Sequence, residues 1–238
     1  DADAGTTTLT YSLSGTDADD FTITKTGEAQ NGVITFDAAP DFETKTAYSL
    51  NVLVSDGTTT TTEAIVVNVT NVNEAPVLTV NTPYSVAEGT TAVGTVTTTD
   101  GDAGTTTLTY SLTGTDKDDF TITKTGEAQN GVIAFSSAPD FETKTAYSLN
   151  VVVSDGTNTT TEAIVVNVTN VNDNSPVLSV ATPYSVAEGQ TAVGTVTTTD
   201  ADAGTTTLTY SLSGTDAGDF TITKTGEAQN GVIAFSSA

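Results

Sequence analysis

The sequence predicts an all-β protein made of tandem seven-stranded antiparallel Greek-key sandwiches in an elongated array. Three observations predict this fold class: long segments recur about every 100 residues, apolar and polar residues alternate, and threonine supplies 55 of the 238 residues. No segment shows the 3.6-residue spacing of apolar residues that is typical of an amphipathic helix. Strands with short turns between them are therefore expected throughout.

Near-identical segments identify the repeats. The segment that begins at Asp1 returns at Asp100 and Asp200, and TPYSVAEG occurs at Thr82 and Thr182. A period of about 100 residues is the size of an independent domain rather than of a solenoid unit. We therefore predict an N-terminally truncated repeat, a complete repeat and a C-terminally truncated repeat, with the boundaries 1–76, 77–176 and 177–238.

Two strands of the complete repeat are read from clear alternation. In YSLNVVVSD the inward residues are predicted to run from Tyr147 to Val153 in steps of two, and in EAIVVNVTNV from Ile164 to Val168. Shorter candidates are PYSVAE, TAVGTVTTT, LTYSLTG, DFTIT and GVIAFSS, separated by turns such as QNGV. This gives about seven strands in each repeat.

Composition limits the function. The chain has 30 acidic residues, six lysines, no arginine, histidine or cysteine, and a formal charge of −24. Such acidity disfavours binding to nucleic acid, whose phosphates need Lys and Arg. The missing His, Cys and Arg, and the lack of a nucleophile or phosphate-loop motif, predict that the protein is not an enzyme. No apolar run reaches the roughly 18 residues of a membrane span.

Acidic and amide side chains fall at strand ends and in loops. Within and just after the complete repeat they are Glu88, Asp140, Glu142, the linker residues Asn170, Asn172, Asp173 and Asn174, then Asp200 and Asp202, with Asp155 in a further turn. Carboxylates without basic partners repel one another at close range. Calcium takes six to eight oxygen ligands and removes this repulsion, whereas Mg²⁺ prefers to keep several waters.

Five of these motifs, in this order, resemble the cadherin repeat in the divergent form found in large bacterial surface proteins. They are Glu88 in AEG, DFE at 140–142, the VSDG turn at Asp155, NVNDNSP at 170–176 and DAD at 200–202. The resemblance implies calcium ions bound between successive domains, which stiffen a rod that works in adhesion.

The resemblance also implies two sets of calcium ligands. For the second linker they are Glu88, Asp140, Glu142, Asn170, Asn172, Asp173, Asn174, Asp200 and Asp202. For the first linker they are Asp41, Glu43, Asn71, Asn73, Glu74, Asp100, Asp102 and Asp155.

The two linkers depart from the family pattern to different degrees. Asn71 and Asn170 stand where the family has Asp, and in the shorter first linker Glu74 and Ala75 replace Asp and Asn. We expect the second linker to be the fuller site, with affinities toward the weak extracellular range of about 10⁻⁴ to 10⁻³ M.

These observations predict calcium-rigidified extender, or stalk, repeats of a bacterial cell-surface or secreted adhesin, located outside the cell. One alternative is the subunit of an extracellular filament completed by neighbouring chains, and another is a homophilic or carbohydrate-binding adhesion module. The expected partners are calcium ions, adjacent repeats and other copies of the chain.

The acidic segment TDKDDF at 115–120 is interpreted as a solvated turn.

Overall fold

A computed structural model describes residues 8–26, 31–102, 107–125, 130–202, 204, 207–225 and 230–237. Two compact units are present, one of Asp1–Pro76 with Thr99–Thr107 and one of Val77–Thr98 with Leu108–Ala238. The predicted repeat boundaries stay predictions. No helix in the described ranges has the length and apolar character needed to cross a membrane.

The first unit contains five strands and one 3₁₀ turn among its described residues. They are β1 (Thr10–Ser14), the 3₁₀ turn Ala18–Asp20, β2 (Phe21–Thr26), β3 (Asn31–Phe36), β4 (Ala47–Ser55) and β5 (Thr60–Asn68). Strands β1, β4 and β5 form one sheet in that order, and β2 pairs with β3.

The second unit contains the remaining strands. They are β6 (Val77–Thr79), β7 (Tyr84–Ala87), β8 (Ala92–Thr99), β9 (Thr109–Thr113), β10 (Phe120–Thr125), β11 (Asn130–Phe135), β12 (Ala146–Ser154), β13 (Thr159–Thr169), β14 (Val177–Ser179), β15 (Ala192–Thr199), β16 (Phe220–Thr225) and β17 (Asn230–Phe235). Two 3₁₀ turns, Lys117–Asp119 and Ala217–Asp219, precede β10 and β16.

Strands β6 to β13 form a two-sheet sandwich. One sheet has the order β10-β11-β8-β6 and the other has the order β7-β13-β12-β9. The all-β sandwich prediction is confirmed, with one parallel pair, because Val166 of β13 faces Tyr84 of β7 in parallel register. PYSVAE predicted β7 but not β6, since a three-residue strand is too short to show alternation.

The core lies between these two sheets, where the alternation predicted it. Val151, Val153 and Val166 are fully buried, while Val165, the neighbour of Val166 in β13, is 38% exposed. Phe120, Phe135 and Tyr147 pack together with ring centroids 4.4 to 5.5 Å apart. The outward positions of the strands are mostly threonine and serine, so the apolar face of each sheet is covered by the other.

Other sheets repeat parts of this arrangement. Strands β14, β15, β17 and β16 form a four-stranded sheet with Val196 buried. In the first unit, Phe21, Phe36 and Tyr48 pack as their counterparts do. Among the described residues β5 pairs only with β4, so Ile65 and Val67 are only half-buried.

The TDKDDF segment is a turn, but it is not merely solvated. Residues Lys117–Asp119 form a 3₁₀ turn, and the side chain of Asp116 just before it is 13% exposed. Asp116 accepts hydrogen bonds from Lys144 Nζ and from the Ser148 N–H, each 2.6 Å long. The segment therefore attaches this loop to the start of β12.

Candidate metal centre

Four carboxylates from separate segments of the second unit converge. One oxygen each of Glu88, Glu142, Asp173 and Asp202 lies within 4.8 Å of the others. We call these four residues the second acidic group. Glu88 follows β7, Glu142 lies in the turn before β12, Asp173 follows β13 and Asp202 follows β15. Strand ends from two different sheets thus bring together residues that are far apart in the sequence.

Backbone N–H groups fix the two buried carboxylates of this group. Glu88 is 6% exposed, and its two oxygens accept hydrogen bonds from the N–H groups of Phe141 (2.8 Å) and Val171 (2.6 Å). Asp202 is fully buried and accepts from the Asn174 N–H at 2.7 Å. These bonds satisfy part of the charge but leave the carboxylates facing one another.

Partial removal from solvent and mutual repulsion shift the pKa values of the other two members, Glu142 and Asp173, which are exposed. Loss of solvent raises the pKa of Glu142 above its ordinary value, and the charges of Glu88 and Asp202 raise it further. The pKa of Asp173 is raised by the same causes in the same order, with Asp140 adding to them. The charged neighbours that raise these pKa values are all carboxylates, which marks the group as short of positive charge.

A smaller group of the same kind lies in the first unit. One oxygen each of Glu43, Glu74 and Asp102 lies within 4.8 Å of the others. We call these three the first acidic group. Asp102 is 6% exposed and accepts hydrogen bonds from Asn71 Nδ2 (2.9 Å) and from the Glu74 N–H (3.0 Å). Loss of solvent, then Glu43 and Asp102, raise the pKa of Glu74.

Gly101 makes room for Glu74, whose side chain is one methylene longer than that of its counterpart in the second linker. A Cβ placed on Gly101 would lie 3.2 Å from Glu74 Oε2, which is closer than ordinary contact. The residue at the same place in the next repeat is Ala201, where the linker carries the shorter Asp173. Glycine at 101 therefore leaves room for the additional methylene of Glu74.

Several predicted ligands border the groups. Asn170 Nδ2 donates to Glu142 Oε1 (3.0 Å), and Asn174 Nδ2 donates to Asp173 Oδ1 (2.9 Å). Asp100 Oδ1 and Asp200 Oδ1 each accept the N–H of the aspartate two residues later, at 3.0 Å. Asn73 Nδ2 donates to the Glu74 carbonyl oxygen (2.9 Å), and Asn172 is exposed in the second linker.

The structure does not bring Asp41, Asp140 or Asp155 into either group. Asp140 Oδ2 accepts the Thr143 hydroxyl at 2.8 Å, and Asp41 Oδ2 accepts the Thr44 hydroxyl at 2.9 Å. These hydroxyl bonds are the largest cause of a lowered pKa at both aspartates. Their oxygens cap their own turns, a role that the D-x-E motif did not reveal.

Asp155 belongs to a different turn. Its Oδ1 accepts the N–H groups of Thr157 and Asn158, each at 2.6 Å, in the turn between β12 and β13. It is 9% exposed and lies in the second unit. Its predicted assignment to the first linker stays a prediction.

The donor set fits a hard divalent cation. All the converging atoms are oxygens, which Ca²⁺ prefers and soft transition metals do not. Asp100 Oδ2, beside the first group, is a buried side-chain oxygen without a hydrogen-bond partner among the described residues. A cavity of 330 Å³ is lined by Glu43, Glu74 and Gly101, which leaves room for a cation and its waters.

Sequence reasoning missed residues that shape these turns. Thr44 and Thr143 follow their aspartates by three residues, a spacing typical of side-chain capping of a turn, so this pattern could have revealed them. Gly101 shows no such pattern, because its role depends on a neighbour from another loop.

Comparison with known proteins identifies similar sequences. Residues 82–169 match the Cadherin domain family. The chain is 32% identical over 236 residues to the Fat-like cadherin-related tumor suppressor homolog of Drosophila melanogaster, and 34% identical over 231 residues to the Cadherin EGF LAG seven-pass G-type receptor 2 of Mus musculus. These matches cover 90% and 92% of the chain but only 5% and 7% of the two relatives.

Solved structures share the fold. Mouse Cadherin-23 EC22-24 matches with a TM-score of 0.64 at 25% identity, over 97% of this chain and 76% of that one. The Protocadherin gammaB7 EC3-6 cis-dimer structure matches with a TM-score of 0.67 at 21% identity, over 97% of this chain and 59% of that one.

These likenesses confirm the predicted location, outside the cell or at its surface. The fly and mouse relatives are animal proteins, so the bacterial origin stays a prediction. Residues 82–169 carry the sequence features of the cadherin domain, and the chain has the fold of cadherin repeats in tandem, as found in extracellular adhesion proteins.

Proposed function

We propose that these repeats are calcium-stiffened extender segments of an adhesion protein. The observation that carries this proposal is the second acidic group, in which four carboxylates from four separate segments lie within 4.8 Å of one another. Such a group is unfavourable alone, because like charges at this distance repel and two of the four residues are buried. A cation that binds them would turn a repulsive contact into a stabilising one.

The residues that would hold the cation come from both sides of the second linker. Glu88 and Glu142 belong to the predicted repeat 77–176, Asp173 to the linker itself and Asp202 to the segment 177–238. Bound calcium supplies positive charge shared among all four carboxylates. Glu88 also orients the linker through the Val171 N–H, and Asp202 does so through the Asn174 N–H. The linker would then be fixed at both ends.

We further propose that the first acidic group acts in the same way, more weakly. It has three converging carboxylates rather than four. The motifs AEG and DFE, which resemble the divergent cadherin form of large bacterial surface proteins, support a parent protein that is a bacterial cell-surface or secreted adhesin. A role in distance-keeping rather than catalysis fits near-identical repeats, because a spacer needs length and not distinct surfaces.

Calcium titration of the full chain tests this function. We expect calorimetry to show binding in the range of about 10⁻⁴ to 10⁻³ M or tighter. We also expect small-angle scattering to show a shorter, more flexible particle after chelation. Asp202→Asn should weaken binding, whereas Asp118→Asn, at a side chain that is 85% exposed in a 3₁₀ turn, should not.

Two results would contradict the function. One is the absence of binding heat up to about 10 mM calcium, well above that range. The other is a scattering profile that is the same with calcium and with chelator. Sedimentation velocity on the same samples addresses the alternatives of self-association and filament formation, the first of which the cis-dimer of the matched protocadherin supports. Calcium-dependent growth in mass would favour these alternatives over a spacer.

A further inference from the structure

Lys144 lies at the end of the turn that carries Glu142. This turn is compact, because the Lys144 N–H donates to the Asp140 carbonyl oxygen (3.0 Å) and Thr143 caps the Asp140 carboxylate. Its start is attached to the sandwich, since the Phe141 N–H donates to Glu88. Its end precedes β12, so the position of Glu142 depends on how both ends are held.

The Lys144 side chain holds that second end. Its Nζ lies 2.6 Å from Asp116 Oδ1, 3.6 Å from Asp119 Oδ2, and 4.1 Å from the centre of the Tyr147 ring. An ammonium group with two carboxylates and an aromatic face has one preferred position. The hydrogen bond to Asp116 is the largest cause of a raised pKa at Lys144, so the lysine stays charged.

Asp116 is itself fixed, which makes it an anchor rather than a mobile partner. Its second oxygen accepts the Ser148 N–H at 2.6 Å, and its own N–H donates to the Ser148 carbonyl oxygen at 3.3 Å. The hydrogen bond from Lys144, then that from Ser148, lower its pKa. Asp116 is therefore bonded to Ser148 of β12, and Lys144 is bonded to Asp116. Lys144 in turn holds the turn that carries Glu142.

The first unit has the same arrangement around its own turn. Lys45 Nζ lies 2.6 Å from Asp17 Oδ1, 3.4 Å from Asp20 Oδ2 and 4.1 Å from the Tyr48 ring centre. The Ser49 N–H donates to Asp17 at 2.7 Å. The turn that Lys45 ends carries Glu43 of the first acidic group.

We propose that Lys144 and Lys45 are positioning residues for the acidic groups, each setting the place of one glutamate, Glu142 and Glu43, by tethering its turn to an anchored aspartate. Neither lysine touches the carboxylates of its group. The inference rests on the calcium binding proposed above, and it assigns a function to two basic residues of a chain that has only six.

The experiment compares calcium affinities in variants of the 238-residue chain by calorimetry. An Asp102→Asn background removes a carboxylate from the first group, so that the heat reports on the second. In it, Lys144→Met should weaken calcium binding about tenfold, the lower end of the range for residues that orient metal ligands. Lys144→Arg, which keeps the charge, should restore most of the affinity. Lys117→Met is the matched control, since Lys117 pairs with the exposed Asp118, and should change nothing.

A double-variant test separates positioning from general weakening of the fold. If Lys144 acts through Glu142, Lys144→Met should cause little further loss of affinity once Glu142→Gln is present. Asp116→Asn, which preserves the side-chain shape, should reproduce the loss caused by Lys144→Met and serves where the methionine variant does not fold. In the converse experiment, Lys45→Met in an Asp202→Asn background should weaken calcium binding by the first acidic group.

The outcomes are distinguishable. Unchanged affinity in both Lys144→Met and Asp116→Asn, while the background binds calcium, overturns the inference and leaves the proposed function intact. So does an equal further loss in the presence of Glu142→Gln. Absence of calcium binding in the unmutated chain overturns the proposed function, and the inference with it.

Discussion

Two acidic residues that are only two positions apart show how local hydrogen bonds divide roles within one motif. Asp140 uses its oxygens to cap the turn, and the Thr143 hydroxyl bond lowers its pKa. The pKa of Glu142 is raised by partial removal from solvent and by neighbouring carboxylates. The sequence predicted that both residues offer oxygen ligands. It did not predict this division, because the competing donor is a threonine that the motif leaves unspecified.

The raised pKa values of Glu142 and Asp173 predict coupling between calcium and protons. In the metal-free folded protein these groups still bind protons above their ordinary pKa values of 4.5 and 3.8. Calcium must displace those protons. We therefore expect calcium affinity to fall as the pH is lowered toward the raised pKa values of these two groups, with protons released on binding in that range. Calorimetry in two buffers of different ionisation heat measures this release.

The control for this prediction is the same titration near pH 8, where the observed heat should be independent of the buffer. The metal-free protein supplies a second check through its stability. Raised pKa values at Glu142 and Asp173 make ionisation destabilising, so that penalty is relieved as the pH falls through their folded-state pKa values. The lowered pKa values of Asp116 and Asp140 give stability that is lost below about 3.8. A melting temperature that falls steadily from pH 7 downward would contradict this account.

Among the elements, the long strands were predictable and their partners were not. The alternation in β12 and β13 identified Leu149, Val151 and Val166 as buried, because one face of each strand must be apolar. The parallel pairing of β7 with β13 left no trace in the alternation, since a period of two is the same in both directions. Which acidic residues converge depends on the order of the strands. The alternation does not give that order, and the predicted ligand sets came from the family resemblance.

Two neighbouring valines in β13, one buried and one partly exposed, predict different losses of stability on substitution by alanine. Val166→Ala removes two buried methyl groups from a fully buried site, and we expect it to lower the free energy of unfolding by about 2–3 kcal/mol. Val165→Ala, at a site that is 38% exposed on the other face, should cost under about 0.5 kcal/mol. Native-state hydrogen exchange of the β12 and β13 amides measures both.

This pair of variants keeps strand, residue type and propensity constant, so only burial differs. Equal losses at the two positions would mean that the outer face of β13 is covered by another surface in solution. That result would support self-association of the chain over a solvent-exposed spacer.

At the scale of the whole molecule, charge dominates. The chain carries −24 at neutral pH, and among its six lysines Lys45, Lys117 and Lys144 form ion pairs with aspartates. Repulsion over such a surface destabilises the compact state, and added salt screens it. Screening acts over about 8–10 Å at 0.1–0.15 M salt. The carboxylates of each acidic group lie within 4.8 Å of one another, so NaCl screens the repulsion between them only slightly.

Salt and calcium should therefore stabilise the protein by separable routes. In chelator, raising NaCl from about 0.01 to 0.15 M shortens the screening length from about 30 to 8 Å and should raise the melting temperature through surface repulsion. Calcium added at constant ionic strength should raise it further, because only a bound cation neutralises the groups. Asp202→Asn should reduce the calcium increment while keeping the NaCl increment. If NaCl of matched ionic strength reproduced the whole effect of calcium, the acidic residues would be acting only as a diffuse surface charge.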